Sequence, residues 1–352
     1  MTLIIQILGI AFGLGFLIFI HELGHFTAAK MCKVRVLIFA FGFGMDLFKF
    51  VRNGTKYCIK IIPFGGFVEM LGDDPSKAAT GAEGEHSALP WYKKAFIAFA
   101  GPLANYILAV IIFSFVFNFW GASQTSTMSQ IGLVAQNYPA YSAGLLEDDI
   151  ITNIDGAPVV LWTDISENLK NKSGQSAAFV IQRGSYSFNL SMVVAQNPVT
   201  TFGIIGISPK IIKKDVGFFE SFQYGAKAVV IQTVMTISYL LDKIISWEKP
   251  DISGPIGIMQ VMANATQRGA EDYLSLLGII SVALGLFNLF PIPFVDGGMI
   301  ILYLIEGIIR RRIGAKIIFA YNTIGIIIIS GIFIFATYSD LIRLGVGKLF
   351  KG

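Results

Sequence analysis

The sequence predicts a helical membrane protein in which four transmembrane helices carry one small α/β domain, inserted between the second and third. Three observations support this. The 352-residue chain is 54% hydrophobic and only 14% charged, outside the usual range of soluble domains. Four stretches, 2–20, 95–119, 273–295 and 317–338, contain no Asp, Glu, Lys or Arg, and about 20 apolar residues cross a bilayer core. Residues 129–209 instead show soluble alternation and turn signals at Asp155-Gly156 and Arg183-Gly184. The net charge of +4 is too mild to call for a nucleic-acid partner.

The elements follow in order. Segment 2–20 lacks a basic start, so it reads as a span and not as a cleaved signal peptide. Residues 35–70 read as a β-rich region: 37–44 is apolar with two glycines, and 55–62 has strand character before the turn Pro63-Phe64-Gly65-Gly66. Segment 228–241, between Lys227 and Asp242, has 14 residues. That is too short to cross and predicts an interfacial or packing helix. The resulting divisions are 1–120 with the first two spans, 129–209 as the inserted domain, 210–270 as interfacial helix and linker, and 271–352 with the last two spans. Lys30, Lys33, Arg35, Lys93, Lys94, Arg310, Arg311, Arg312 and Lys316 lie in short loops on one side, which the positive-inside rule makes cytoplasmic. Residues 120–270 and both termini are then extracytoplasmic. Cys32 and Cys58 fall on the reducing side, where no disulfide is expected.

The first span ends in His21-Glu22-Leu23-Gly24-His25. Ionisable residues in a span are costly and usually functional. Positions i and i+4 share a helix face, so both imidazoles can reach one Zn²⁺ while Glu22 lies beside it. A catalytic zinc takes three protein ligands and lowers the pKa of water in its remaining position to about 7. Glu22 is placed to take that proton and deliver it to a leaving amine.

Three histidines occur in the chain. His86 lies in 73–87, a polar stretch that reads as a mobile loop, and is disfavoured as third ligand. Asp296 is the better candidate. It follows the third span through Asn288-Leu289-Phe290-Pro291-Ile292-Pro293-Phe294-Val295, where two prolines break the helix, while Gly297-Gly298 free the chain beyond. Broken backbone at membrane depth is tolerated where it lines a cavity. Asp296 reaches the depth of His21 and His25 only if the first and third spans run the same way, and one crossing between them satisfies this. A solvated Asp at a helix end is the plain alternative.

These motifs, with Gly101-Pro102-Leu103-Ala104-Asn105 and Ser253-Gly254-Pro255-Ile256-Gly257, resemble the site-2 protease family of intramembrane zinc metalloproteases, most closely its bacterial RseP type, the regulators of sigma-E protease. The resemblance implies His21, His25 and Asp296 as zinc ligands, Glu22 as the catalytic carboxylate, and Asn288 as a substrate-binding residue that holds the substrate backbone. From the residues alone Asn288 could equally be a helix-packing amide. The resemblance also makes 35–70 a membrane-associated β-loop that pairs with an unwound substrate, a cytoplasmic packing hairpin being the alternative. Residues 129–209 resemble a single PDZ domain, extracytoplasmic here, with a peptide ligand or a steric filter as its role.

The implied activity is endopeptidase cleavage of single-span membrane proteins, such as anti-sigma factors and remnant signal peptides, within the lipid bilayer of a bacterial cytoplasmic membrane. Two other classes compete. A non-catalytic scaffold would need the PDZ-like domain but not Glu22. A metal transporter would need a polar path through the other spans, which offer little beyond Asn105, Ser114, Asn322, Thr323 and Ser330.

Overall fold

The structure is a computed structural model that describes residues 2–73, 82–197, 201–247 and 254–344. Residues 74–81 of the expected loop, Ser253 of the Ser253–Gly257 motif, 198–200 of the inserted domain and 345–352 lie outside the described residues. The chain divides into two compact units, 1–119 with 217–352, and 120–216.

The first unit opens with α1 (Thr2–Met31), then β1 (Val36–Arg52) and β2 (Thr55–Met70). Asn53 and Gly54, both at positive φ, turn β1 into β2, the backbone a tight hairpin requires. The pair is curled. Phe39 faces Val68 on one side and Tyr57 on the other, while Phe50 also faces Tyr57. Both long strands are therefore bent, and the last stretch of β2, Gly66 to Met70, lies outermost beside 36–41. Phe19 of α1 packs on Phe39 and Phe41, so the curl lies against the apolar helix. Met45, Leu47, Phe48 and Val51 remain exposed. In water such a patch would be a liability.

After a 3₁₀ turn at His86–Ala88 comes α2 (Trp91–Trp120). The chain returns to this unit at α5 (Phe218–Ile245) and continues through α6 (Pro255–Arg268), α7 (Ala270–Asn288), α8 (Asp296–Ile309) and α9 (Ala315–Arg343). Relative directions follow from contacts. His25 Nδ1 meets Ile97 O and His21 Nδ1 meets Asn105 Nδ2, so α2 runs against α1. Tyr273 OH donates to Gly9 O at 2.6 Å near the start of both helices, and further along each, His21 and Ser281 both reach Asn105 of α2. Helices α1 and α7 are parallel.

Three expectations need correction. Helix α5 has 28 residues, not 14, and is long and apolar enough to cross a membrane; α1, α2, α7 and α9 make five such helices among the described residues. Lys227 and Asp242 had bounded the uncharged run, but both project outward from a helix that continues past them. A charge near a helix end does not stop the helix, because it can reach polar surroundings. The third apolar stretch is not one helix to 295. It stops at Asn288, turns over 289–295, and starts again as α8. Gly297 and Gly298 lie in the first turn of α8 instead of loosening a loop: a Cβ at Gly298 would lie 2.0 Å from Ile292 O.

The second unit holds β3 (Ala122–Thr125), β4 (Ile131–Val134), α3 (Pro139–Ser142), β5 (Ile150–Ile154), β6 (Ala157–Pro158), α4 (Trp162–Leu169), β7 (Ser176–Arg183), β8 (Tyr186–Val193), β9 (Ala195–Gln196), β10 (Gly203–Ile204), β11 (Ile207–Pro209) and β12 (Ile211–Lys214). An antiparallel sheet in the order β6-β5-β7-β8 is joined by the pairs β4-β11, β9-β10 and β3-β12. Alternate residues Ile151, Phe179 and Ile181 turn inward onto Ile131, Ile165, Leu169 and Ile205, the period-two burial expected of strands.

Candidate metal centre

Helices α1, α2 and α8 position the clustered residues. Helix α1 places His21 and His25 one turn apart on the face that meets α2. Their rings lie edge to face, with Nε2 atoms 3.2 Å apart. Helix α8 brings Asp296 to them from 271 residues further along the chain: Oδ2 lies 3.1 Å from His21 Nε2 and Oδ1 lies 3.4 Å from His25 Nε2. One ligand atom from each of the three residues falls within 4.8 Å of the others, a group able to hold a metal ion.

Local sequence explains how Asp296 arrives. Pro291 and Pro293 cannot donate to a helical ladder, so the chain leaves α7 and turns. Phe294, at φ 78°, takes the left-handed backbone that reverses it, a conformation unfavourable for a bulky residue. Asp296 then opens α8, where Gly297 and Gly298 permit the close return against Leu289 and Ile292.

The donor set fits zinc. Two imidazoles and one carboxylate are a recurrent catalytic ligand set. Asp296 points both carboxylate oxygens at the two imidazole Nε2 atoms, and acceptor groups gathered this closely away from water are costly unless a cation satisfies them. His25 supplies further support. Its Nδ1 lies 2.8 Å from Ile97 O; a carbonyl can only accept, so Nδ1 carries the proton and Nε2 turns its lone pair toward the cluster.

Glu22 lies beside the cluster, half-buried, and lines the same cavity of about 530 Å³. Gly66 of β2 lies beside it, where an added Cβ would fall 3.6 Å from Glu22 Cγ, so the outer stretch of β2 passes close to the carboxylate. Asn288 also lines this cavity, with Nδ2 donating to Leu284 O at 3.0 Å.

His86 is not among the three clustered residues. It does not sit in a mobile loop either: it is buried in the cavity wall, with Nδ1 3.5 Å from Asp73 Oδ1 and its ring against Tyr303. Burial and the neighbouring charge of Lys94 push its pKa down to about 4. Lys94, read from sequence as a loop charge, is likewise buried and paired with Glu306.

Sequence reasoning missed what Gly101 does. A Cβ there would lie 2.3 Å from His25 Nε2 and 2.9 Å from His21 Cε1, so only glycine lets α2 cross behind both imidazoles. The Gly101–Asn105 motif was the available signal. Its neighbour Pro102 leaves the Ala98 carbonyl, on the cavity wall, without a helical donor.

Residues 9–332 match the model of peptidase family M50. The chain belongs to that family. A candidate zinc metalloprotease from Clostridium acetobutylicum is 33% identical over 331 residues, covering 93% of this chain and 95% of that protein. The metalloprotease MmpA of Caulobacter vibrioides is 28% identical over 397 residues, covering 99% and 98%. The M50 chain is thus a multi-pass zinc metalloprotease, similar to these relatives over nearly its whole length. Among solved structures, the PDZ domain of an SdrC-like protein from Listeria monocytogenes is 20% identical and covers 24% of this chain and 90% of that one, with a TM-score of 0.22.

Proposed function

We propose that this M50 protein is an intramembrane endopeptidase of the RseP type, with His21, His25 and Asp296 as zinc ligands and Glu22 as general base and acid. The observation that carries the reading is the convergence of the three donors with Glu22 in one cavity at the end of an apolar helix. Zinc bound there supplies the Lewis acidity that activates water near neutral pH. Glu22 takes a proton from the attacking water and passes it to the departing amine. Asn288, on the same wall, holds the substrate backbone.

A transmembrane substrate must unwind before cleavage, and each backbone group left unpaired in lipid costs several kcal/mol. The outer stretch of β2 offers replacement partners by strand addition, and because Gly66 lies beside Glu22 and Val68 lines the same cavity, an added strand would be directed toward the site. The substrates are single-span membrane proteins, including anti-sigma factors and remnant signal peptides. The protein lies in the bacterial cytoplasmic membrane with the site toward the cytoplasmic face. Residues 129–209 form an extracytoplasmic PDZ-like domain that binds a peptide or screens substrate size.

The test is cleavage of a tagged single-span substrate by detergent-purified protein, beside Glu22→Gln and a chelator-treated sample. Wild type is expected to cut, with both controls at least 10³-fold slower. Equal cleavage by Glu22→Gln would overturn the assignment of Glu22.

A further inference from the structure

His21 and His25 differ in what stands behind them. His25 Nδ1 has a carbonyl partner, Ile97 O. His21 Nδ1 has a side chain instead: Asn105 Nδ2 lies 3.3 Å away. Asn105 is fully buried, and its Oδ1 has no hydrogen-bond partner. The two ends of a side-chain amide are nearly equal in size, so which of them faces His21 is decided by hydrogen bonding and not by packing.

We propose that Asn105 is a positioning residue that fixes the tautomer of His21, its Oδ1 accepting a hydrogen bond from His21 Nδ1–H so that Nε2 faces the metal. This rests on the reading of His21 Nε2 as a zinc ligand. A neutral imidazole that binds metal through Nε2 keeps its proton on Nδ1. An amide NH₂ aimed at that N–H would set two donors against each other. Turning the amide by 180° about χ2 exchanges two atoms of nearly equal size, places the orphaned oxygen at His21 Nδ1 and needs no movement of α2.

The surroundings hold Asn105 ready for this. Its own carbonyl accepts from Ser281 Oγ at 2.8 Å, which ties this turn of α2 to α7. Gly101, one turn before it, lets α2 approach the imidazoles. The two histidines then have equivalent support from α2, a main-chain carbonyl for His25 and a side-chain carbonyl for His21. Support of this kind typically contributes about 10- to 100-fold in metal affinity.

The test compares wild type, Asn105→Leu and Asn105→Asp by zinc competition against a chromophoric chelator, with the d–d spectrum of the cobalt-loaded protein as second readout. Asn105→Leu keeps the volume and removes the acceptor; Asn105→Asp keeps an acceptor. The expected result is about a 10- to 100-fold loss of zinc affinity for Asn105→Leu, near-wild-type affinity for Asn105→Asp, and an altered cobalt spectrum for Asn105→Leu alone. Equal affinity in wild type and Asn105→Leu, or equal loss in both variants, would overturn the assignment of Asn105. Failure of the wild type to bind zinc would instead overturn the reading of the metal centre. Nitrogen-15 labelling of the three histidines gives a check independent of variant folding: in the zinc-loaded wild type His21 Nδ1 is expected to carry a proton, and a deprotonated Nδ1 would refute the proposal.

Discussion

At Gly101 a single missing methyl group decides whether two imidazoles can sit against α2. A Cβ 2.3 Å from His25 Nε2 would have to displace the ring or the helix, so Gly101→Ala is expected to lower zinc affinity by at least 100-fold. Measuring bound zinc after dialysis checks this, and full zinc occupancy would show that the helices yield without consequence. A second buried residue answers to the same logic. Asp340 of α9 is 3% exposed and accepts from Gly254 N at 3.0 Å and Gly257 N at 2.9 Å, two backbone donors at the start of α6. This cross-helix cap gives Gly254 and Gly257 a structural role away from the metal centre. Asp340→Ala should destabilise the fold by about 1–3 kcal/mol, read as an earlier midpoint in detergent unfolding. The sequence made the metal residues legible because spacing and chemistry coincide in them. Asn105 and Gly101 were visible only as a motif, since what they do depends on which helix crosses behind α1.

Elements carry the site as much as its residues do. Helix α8 starts at Asp296 and ends at Ile309, and near its end Glu306 pairs with Lys94 at the start of α2 while accepting from Ile313 N at 3.1 Å. Both side chains are under 10% exposed, and Lys94 also lies over the Tyr303 ring at 4.9 Å. The pair ties the helix that brings Asp296 to the helix that backs His25. Removing one partner strands a buried charge and typically costs about 3–5 kcal/mol, whereas replacing both with apolar residues is often close to neutral. Glu306→Leu is therefore expected to lower stability and zinc affinity together, and Lys94→Met with Glu306→Leu to recover most of the stability. An equally damaging double variant would mean that the charge itself is required. Helix α8 escaped sequence reading because its 14 residues continue an apolar run, and only the prolines and the Phe294 reversal separate it from α7.

For the whole molecule, the parallel arrangement of α1 and α7 limits the topology. With α2 crossing back between them, the chain must cross an even number of further times before α7, so α5 cannot add one lone crossing. The inserted unit has its own core and its own ionic weak point. Asp149 is fully buried. Burial pushes its carboxyl pKa up, but Arg183 at 2.7 and 2.8 Å and the Leu146 N–H outweigh this and hold it below the usual value. Because the folded value is depressed, the stabilisation is full above the unfolded pKa of about 3.9 and is lost as pH falls through the folded value. Hydrogen exchange on the intact protein should therefore show 131–209 loosening selectively below about pH 4, and Arg183→Leu should loosen it already at pH 7. Uniform loosening of both units would contradict this. The strands of this unit were legible from turns and alternation, and the curl of β1 and β2 was not, because its pairings depend on bends that no local pattern specifies.

The central claim is that α1 and α8 together hold one zinc ion beside Glu22, and metal content tests it most directly. Purified wild type and Glu22→Gln are each expected to carry close to one zinc per chain, and Asp296→Ala and His25→Ala far less. Absence of zinc from the wild type, or its full retention by Asp296→Ala, would contradict the account.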